Sequence, residues 1–141
     1  MPILPIDTGT IETGRYGTAE MKRIFEEETR VQKMFDVEAA LAWAHAEVGN
    51  IPRKDAEKIA AMASLKYVKL SRIKEIEREI KHDIASLVRA LAEACGPSGG
   101  YVHLGATSYD IVDTANALQL KDALEIIEKR LNDSEKILMD K

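Results

Sequence analysis

Two short stretches of this chain carry the side chains best suited to proton transfer and anion binding. They are Lys81-His82-Asp83 and His103-Leu104-Gly105-Ala106-Thr107-Ser108-Tyr109-Asp110. A histidine near fixed cations can donate a hydrogen bond to an anionic ligand or move a proton near neutral pH. Asp83, one residue on, can orient an imidazole, an ammonium or an amide. A histidine on a solvated, charged helix face would have the same neighbours, so the pair alone leaves both readings open. In the second stretch Gly105 permits a tight backbone, two hydroxyl residues follow, and a helix begins at once. Free N–H groups at a helix N-terminus bind carboxylate and phosphate, and Thr107 and Ser108 would add side-chain donors. Ser108 acting only as an N-cap, with Thr107 in the turn, accounts for the same residues. Asp110 and Asp113 suit the positive end of the helix in either case.

Other reactive side chains point elsewhere. His82, Asp83 and His103 have neither an i, i+4 histidine pair nor a nearby cysteine set, which argues against a metal site. Cys95 lies in the last turn of an apolar helix and reads as buried and inert. His45 and Trp43 sit in an Ala-rich helix and read as packing residues. Glu26-Glu27-Glu28 reads as a solvated face. There is no P-loop, no G-x-G-x-x-G and no G-x-S-x-G.

The elements that would position these residues are helical almost throughout, an all-α fold. Residues 1–17 read as an irregular leader containing Arg15 and Tyr16. Thr18 is an N-cap candidate with Glu20 in the first turn. Met34, Val37, Leu41, Ala44 and Val48 recur at alternating three and four spacing, one apolar stripe of a helix stopped by Gly49-Asn50 and Pro52. A short helix follows from about Arg53 to Ala63.

Ser71 can cap a helix running to about Cys95 and ending at Gly96-Pro97. On a single helix, Ile76, Ile84, Leu87 and Leu91 fall within about 40° of Ile80, with Val88 at the stripe's edge. His82 then lies about 200° from Ile80, beside Arg78 and Arg89 and away from the core. Gly96-Pro97-Ser98-Gly99-Gly100 is a loop, and residues 101–105 read as a short extended segment. The last helix follows, with Leu120, Leu124, Ile127, Leu131 and Leu138 as its core face. It reaches Lys141 with no Gly or Pro stop, as expected either of a frayed C-terminal helix or of a chain cut inside a longer helix. The organisation is therefore a leader over 1–17, a helical domain over 18–105, and over 106–141 the start of a long bundle helix.

Composition bounds the function without naming it. Lys and Arg number 20 against 24 Asp and Glu, a net charge of −4, which gives no electrostatic reason to expect nucleic acid or an anionic membrane. No apolar run approaches the ~18 residues of a membrane span, and the start lacks a signal-peptide pattern. A single cysteine excludes an internal disulfide framework and suits a reducing, cytoplasmic compartment.

Taken together, three blocks resemble the adenylosuccinate lyase family of the fumarase/aspartase superfamily. They are Arg15-Tyr16 shortly before a helix, Lys81-His82-Asp83-Ile84, and Val102 to Ala115. The likeness extends to Val37-Glu38-Ala39-Ala40-Leu41-Ala42-Trp43-Ala44 and the Gly49-Asn50-Ile51-Pro52 turn, nearly the whole chain. The block from His103 to Ala115 is its most specific part. The resemblance implies a mostly helical homotetramer, built on long central helices, whose active sites draw on three subunits. It implies β-elimination of fumarate from adenylosuccinate, giving AMP, and from SAICAR, giving AICAR, with no cofactor. Arg15 and Tyr16 would bind the phosphate end of the substrate. Lys81, His82 and Asp83 would line the site, with His82 hydrogen-bonding substrate and supporting the proton-transfer histidine. His103 would be a second site histidine near the phosphate. Thr107 and Ser108 would hold the carboxylates of the succinyl moiety.

The family pattern continues with a Gly-Arg-Thr-His-Gly segment carrying the general-acid histidine and a Gly-Ser-Ser-x-Met-Pro loop carrying the serine base. Neither lies between Met1 and Lys141, so the chain alone is expected to bind without turning over. Tyr109 stands where a small hydroxyl residue is expected and would narrow the site. Two alternatives share these features. One is a sister lyase of the same fold, such as argininosuccinate lyase, aspartase or a carboxy-muconate cycloisomerase. The other is a helical oligomerisation module without catalysis.

Overall fold

The computed structural model describes residues 17–140. Among them are six α-helices, one 3-10 segment and no strand. Helix α1 spans Ala19–Ile24 and α2 spans Glu27–Glu47. Helix α3 covers Arg53–Met62, α4 Leu70–Ile80 and α5 Asp83–Cys95. The 3-10 segment Gly96–Tyr101 leads to the long α6, Ser108–Met139. Thr18 caps α1 as its position in the sequence predicts, its Oγ1 accepting from the Met21 N–H at 3.2 Å.

Helix α2 is the centre of the arrangement and packs on both α3 and α6. Helix α5 lies against α3, α4 and the 3-10 segment, while α1 crosses α6. Phe35, Ile59, Ile76, Leu91 and Ile111, one from each of α2 to α6, are fully buried in a single cluster. Burying each such side chain contributes roughly 1.5–3 kcal/mol. Polar ties fix the edges: buried Gln119 on α6 donates from Nε2 to the Ile24 carbonyl at 2.6 Å, holding the end of α1. Gly99 is required where the 3-10 segment crosses α5, because a Cβ there would stand 2.3 Å from the Ala92 carbonyl oxygen.

The continuous helix expected from Ser71 to Cys95 is instead a helical hairpin. It starts at Leu70, with Lys69 as N-cap, and breaks after Ile80. Lys81 takes left-handed backbone (φ 57°) and His82 opens α5 as its N-cap. Ile73 and Ile76 of α4 share the core with Ile84, Leu87 and Leu91 of α5. The apolar spacing runs through the turn unbroken, so periodicity alone cannot see it. Ile80, placed at the centre of the expected stripe, is 37% exposed beside the turn.

Two other apolar faces differ from expectation. On α2 the buried residues are Met34, Phe35, Glu38 and Ala42, with Val37 and Leu41 half-buried and Val48 exposed. The core-facing stripe is rotated toward Phe35 and carries a carboxylate. On α6 the buried residues are Ile111, Val112, Ala115, Gln119 and Ala123. The five residues expected to form its core face, Leu120, Leu124, Ile127, Leu131 and Leu138, are all exposed. They lie on a different face of α6 from the buried residues, which α1 and α2 cover as far as contacts at Asp122 and Arg130. Residues 102–105 form turns rather than an extended segment.

Candidate functional site

The reversal at Lys81 turns the start of α5 toward the start of α6. The two N-termini flank an open-sided cleft of about 420 Å³. His82, Asp83, Thr107, Ser108 and Tyr109 form its polar rim, and Ile84 and Val112 its apolar floor. Four of the residues singled out in the sequence, far apart along the chain, thus meet in one place. Both readings of His82 and of the Thr107-Ser108 pair need revision in detail.

His82 does not sit on the outer face of a helix. Its Nδ1 accepts from the Ala85 N–H at 3.2 Å and caps α5, so the proton of the neutral ring is on Nε2. That leaves an N–H donor on a ring whose position is fixed by the cap. The His82 carbonyl also accepts a hydrogen bond from the buried Ser86 hydroxyl. Asp83 Oδ1 accepts from the Ile84 N–H at 2.7 Å, and lies 3.5 Å from His82 Nδ1. Lys81, in the turn, is exposed beside the cleft but does not line it.

At the other wall Thr107, not Ser108, is the N-cap of α6. Its N–H and its Oγ1 both lie within hydrogen-bond distance of Asp110 Oδ2, at 2.7 and 3.0 Å. These bonds, the backbone one first, hold the Asp110 carboxyl below its usual range. Ser108 is thereby moved into the first turn, half-buried at the cleft wall. First-turn N–H groups have no partner within their helix, so Ser108 and Tyr109 present main-chain donors beside the Ser108 hydroxyl. Tyr109 is 65% exposed and lines the cleft.

His103 lies in the turn leading into α6, outside the cleft lining, with left-handed backbone (φ 62°). Sequence reasoning missed what holds it there. Glu38 of α2, 1% exposed, accepts from His103 Nδ1 through Oε1 at 2.6 Å and from the His103 N–H through Oε2 at 3.1 Å. Burial pushes the Glu38 carboxyl above its usual range, and the bonds from His103 act against that push. The available signal was a glutamate four residues after Met34 and four before Ala42, in the middle of an apolar face. His45, read as a packing residue, is a second tie: Nε2 donates to the Leu104 carbonyl at 2.8 Å and Nδ1 accepts from Asn50 Nδ2 at 2.9 Å. Glu38 and His45 are two helical turns apart and grip adjacent residues of the turn. Gly105, with φ +68°, closes it.

Arg15 and Tyr16 lie outside the described residues. Among the described residues no cluster of His, Cys, Asp or Glu could hold a metal ion. Among the described residues no helix is long and apolar enough to cross a membrane. Cys95 is buried and its thiol is pushed up to about 11 by desolvation, which keeps it protonated and unreactive.

Comparison with known proteins bears on the same residues. A protein-family model described as lyase matches residues 14–141. The adenylosuccinate lyase of Pyrococcus abyssi is 55% identical over 99% of this chain, and that of Methanocaldococcus jannaschii 54% identical over all of it. The chain spans about 30% of the length of these relatives. Among solved structures, a fumarate lyase from Mesorhizobium superposes with a TM-score of 0.75 at 33% identity, covering 86% of this chain and 30% of that one.

Proposed function

This chain belongs to the lyase family, and on that premise we propose that it is the N-terminal part of an adenylosuccinate lyase and forms much of its substrate-binding surface. The observation that carries the reading is the meeting of His82 and Asp83 with Thr107 and Ser108 across one cleft. The reaction breaks a C–N bond and removes a proton next to a carboxylate, releasing fumarate from adenylosuccinate or from SAICAR. Negative charge builds beside that carboxylate, so fixed donors aimed at it lower the barrier. Ser108, Thr107 and the first-turn N–H groups of α6 hold the succinyl carboxylates. The Nε2–H of His82 bonds substrate opposite them and supports the histidine that transfers the proton. Arg15, Tyr16 and His103 serve the anionic phosphate end, and Lys81 and Asp83 act beside His82 in the substrate site. No cofactor is needed for an elimination of this kind.

The general acid and base come from outside Met1–Lys141, so the chain alone binds without turning over. Residues 18–105 act as the N-terminal helical domain, and 106–141 begin a helix of the central bundle. In the homotetramer the exposed stripe of α6 packs against helices of the remaining chain and of other subunits. Fumarate release from adenylosuccinate tests both parts. The full-length protein is expected to release fumarate and the purified 141-residue chain none above background. Release by the chain alone overturns its inactivity, and none from the full-length protein overturns the substrate.

A further inference from the structure

We propose that Glu38 is a positioning residue for His103, fixing the ring with Nδ1 as the donor to Glu38 so that Nε2 is the nitrogen left for the ligand, accepting from a ligand hydroxyl or, when the ring is protonated, donating to a ligand oxyanion. The inference rests on the reading of this region as the phosphate end of a substrate site. Its geometry stands independently of that reading. Both Glu38 oxygens are used by one residue: Oε1 by His103 Nδ1 at 2.6 Å, and Oε2 by the His103 main-chain N–H at 3.1 Å. The main-chain donor requires an acceptor on Oε2, and where Glu38 is ionised its Oε1 can only accept, which makes Nδ1 the donor. The grip is therefore on ring and backbone together, and it holds His103 in left-handed backbone that a residue with a Cβ seldom adopts. Such a conformation persists only where its surroundings enforce it.

A core helix gains nothing in packing from a glutamate at this position, since an uncompensated buried carboxylate is costly. The His103 side chain is 18% exposed beside the start of α6, so the ring keeps an edge open to a ligand. Among the described residues no hydrogen bond occupies His103 Nε2. His45, hydrogen-bonded to the Leu104 carbonyl at 2.8 Å, holds the next residue against the same helix. The turn therefore cannot swing His103 away when Glu38 holds the ring.

The test uses full-length protein and two readouts. In steady-state kinetics, Glu38→Gln is expected to raise KM about tenfold and leave kcat within about twofold, as for lost uniform binding of a remote substrate group. Combined with His103→Gln it is expected to add nothing to the effect of His103→Gln alone. Additive effects, or an unchanged KM, overturn the proposal. Should Glu38→Gln fail to fold, the wild-type protein answers. Solid-state NMR after 15N-histidine labelling, with His103 identified by its loss in His103→Gln, is expected to show a protonated Nδ1. An unprotonated Nδ1 overturns the proposal whatever the kinetics. Absence of fumarate release by the wild-type protein would sink the substrate reading alone, because the NMR signature does not depend on turnover.

Discussion

Arg72 at the start of α4 and Glu93 near the end of α5 are joined by two hydrogen bonds, Nε to Oε2 at 2.9 Å and Nη2 to Oε1 at 3.0 Å. This bidentate pair closes the open end of the hairpin whose other end is the Lys81-His82 turn. It thereby helps set the angle at which His82 meets the cleft.

The Arg72 guanidinium holds the Glu93 carboxyl below its usual range. The folded state therefore gives up this proton more readily than the unfolded one. The pair's stabilisation is present above the ordinary glutamate value of 4.5 and is lost as pH falls through the depressed folded value. Both side chains are 41% exposed, so solvent screening keeps the contribution small. Glu93→Gln is expected to lower the melting temperature at pH 7 by a few degrees and to have no effect near pH 2. Equal destabilisation at both pH values would show that packing, not charge, is what the substitution removes.

The hairpin also marks where the sequence was legible and where it was not. The all-helical class, the Thr18 cap, the Gly49-Pro52 stop and α3 are written in local signals, and the structure has them where those signals stand. The break after Ile80 carries no Gly or Pro. Ile76, Ile84 and Leu91 keep helical spacing across it, so one long helix and a folded hairpin share one pattern. Tertiary packing chooses between them. His82 consequently changes from a face residue to a cap, although its place in the site does not depend on which description holds. Glu38 was invisible for the opposite reason: spacing assigned the neighbouring Val37 to the core, and a glutamate by type belongs outside. Only its partner, distant in sequence, explains it.

His45 and Leu104 make a second prediction. The hydrogen bond from Nε2 to the Leu104 carbonyl, together with Asn50 on Nδ1, ties the turn before α6 to the end of α2. His45→Ala removes both and is expected to cost about 1–2 kcal/mol. Amide exchange at residues 103–106 should accelerate more than exchange in the α3 core around Ile59. Uniform acceleration across the chain would show that His45 supports the fold at large and not the turn.

His82 separates structural from chemical contributions within one residue. Its Nδ1 caps α5, and loss of a cap costs about 1 kcal/mol. The ring lines the cleft, and its Nε2–H is the group proposed to bond substrate. In the full-length protein His82→Gln is expected to lower kcat/KM by about 10² or more, with thermal stability reduced only by the cap. Wild-type turnover in this variant would remove His82 from the site.

The exposed stripe of α6 yields the last prediction. Leu124 and Leu131 are 63% and 64% exposed and lie on a different face of α6 from Ile111, Val112, Ala115, Gln119 and Ala123, which bind it to the core. Within the 141-residue chain they bury little, so Leu124→Gln with Leu131→Gln should shift its melting temperature by no more than about 1–2 °C, as other surface changes do. In the full-length protein the same leucines are proposed to lie between helices, where each would contribute roughly 1.5–3 kcal/mol on burial. The double substitution should then lower the assembly's melting temperature strongly and shift it toward smaller species in sedimentation. The contrast between the two proteins is the measurement. If both respond alike, the stripe is a solvent-facing surface in the assembled protein too, and the proposed bundle contact is wrong.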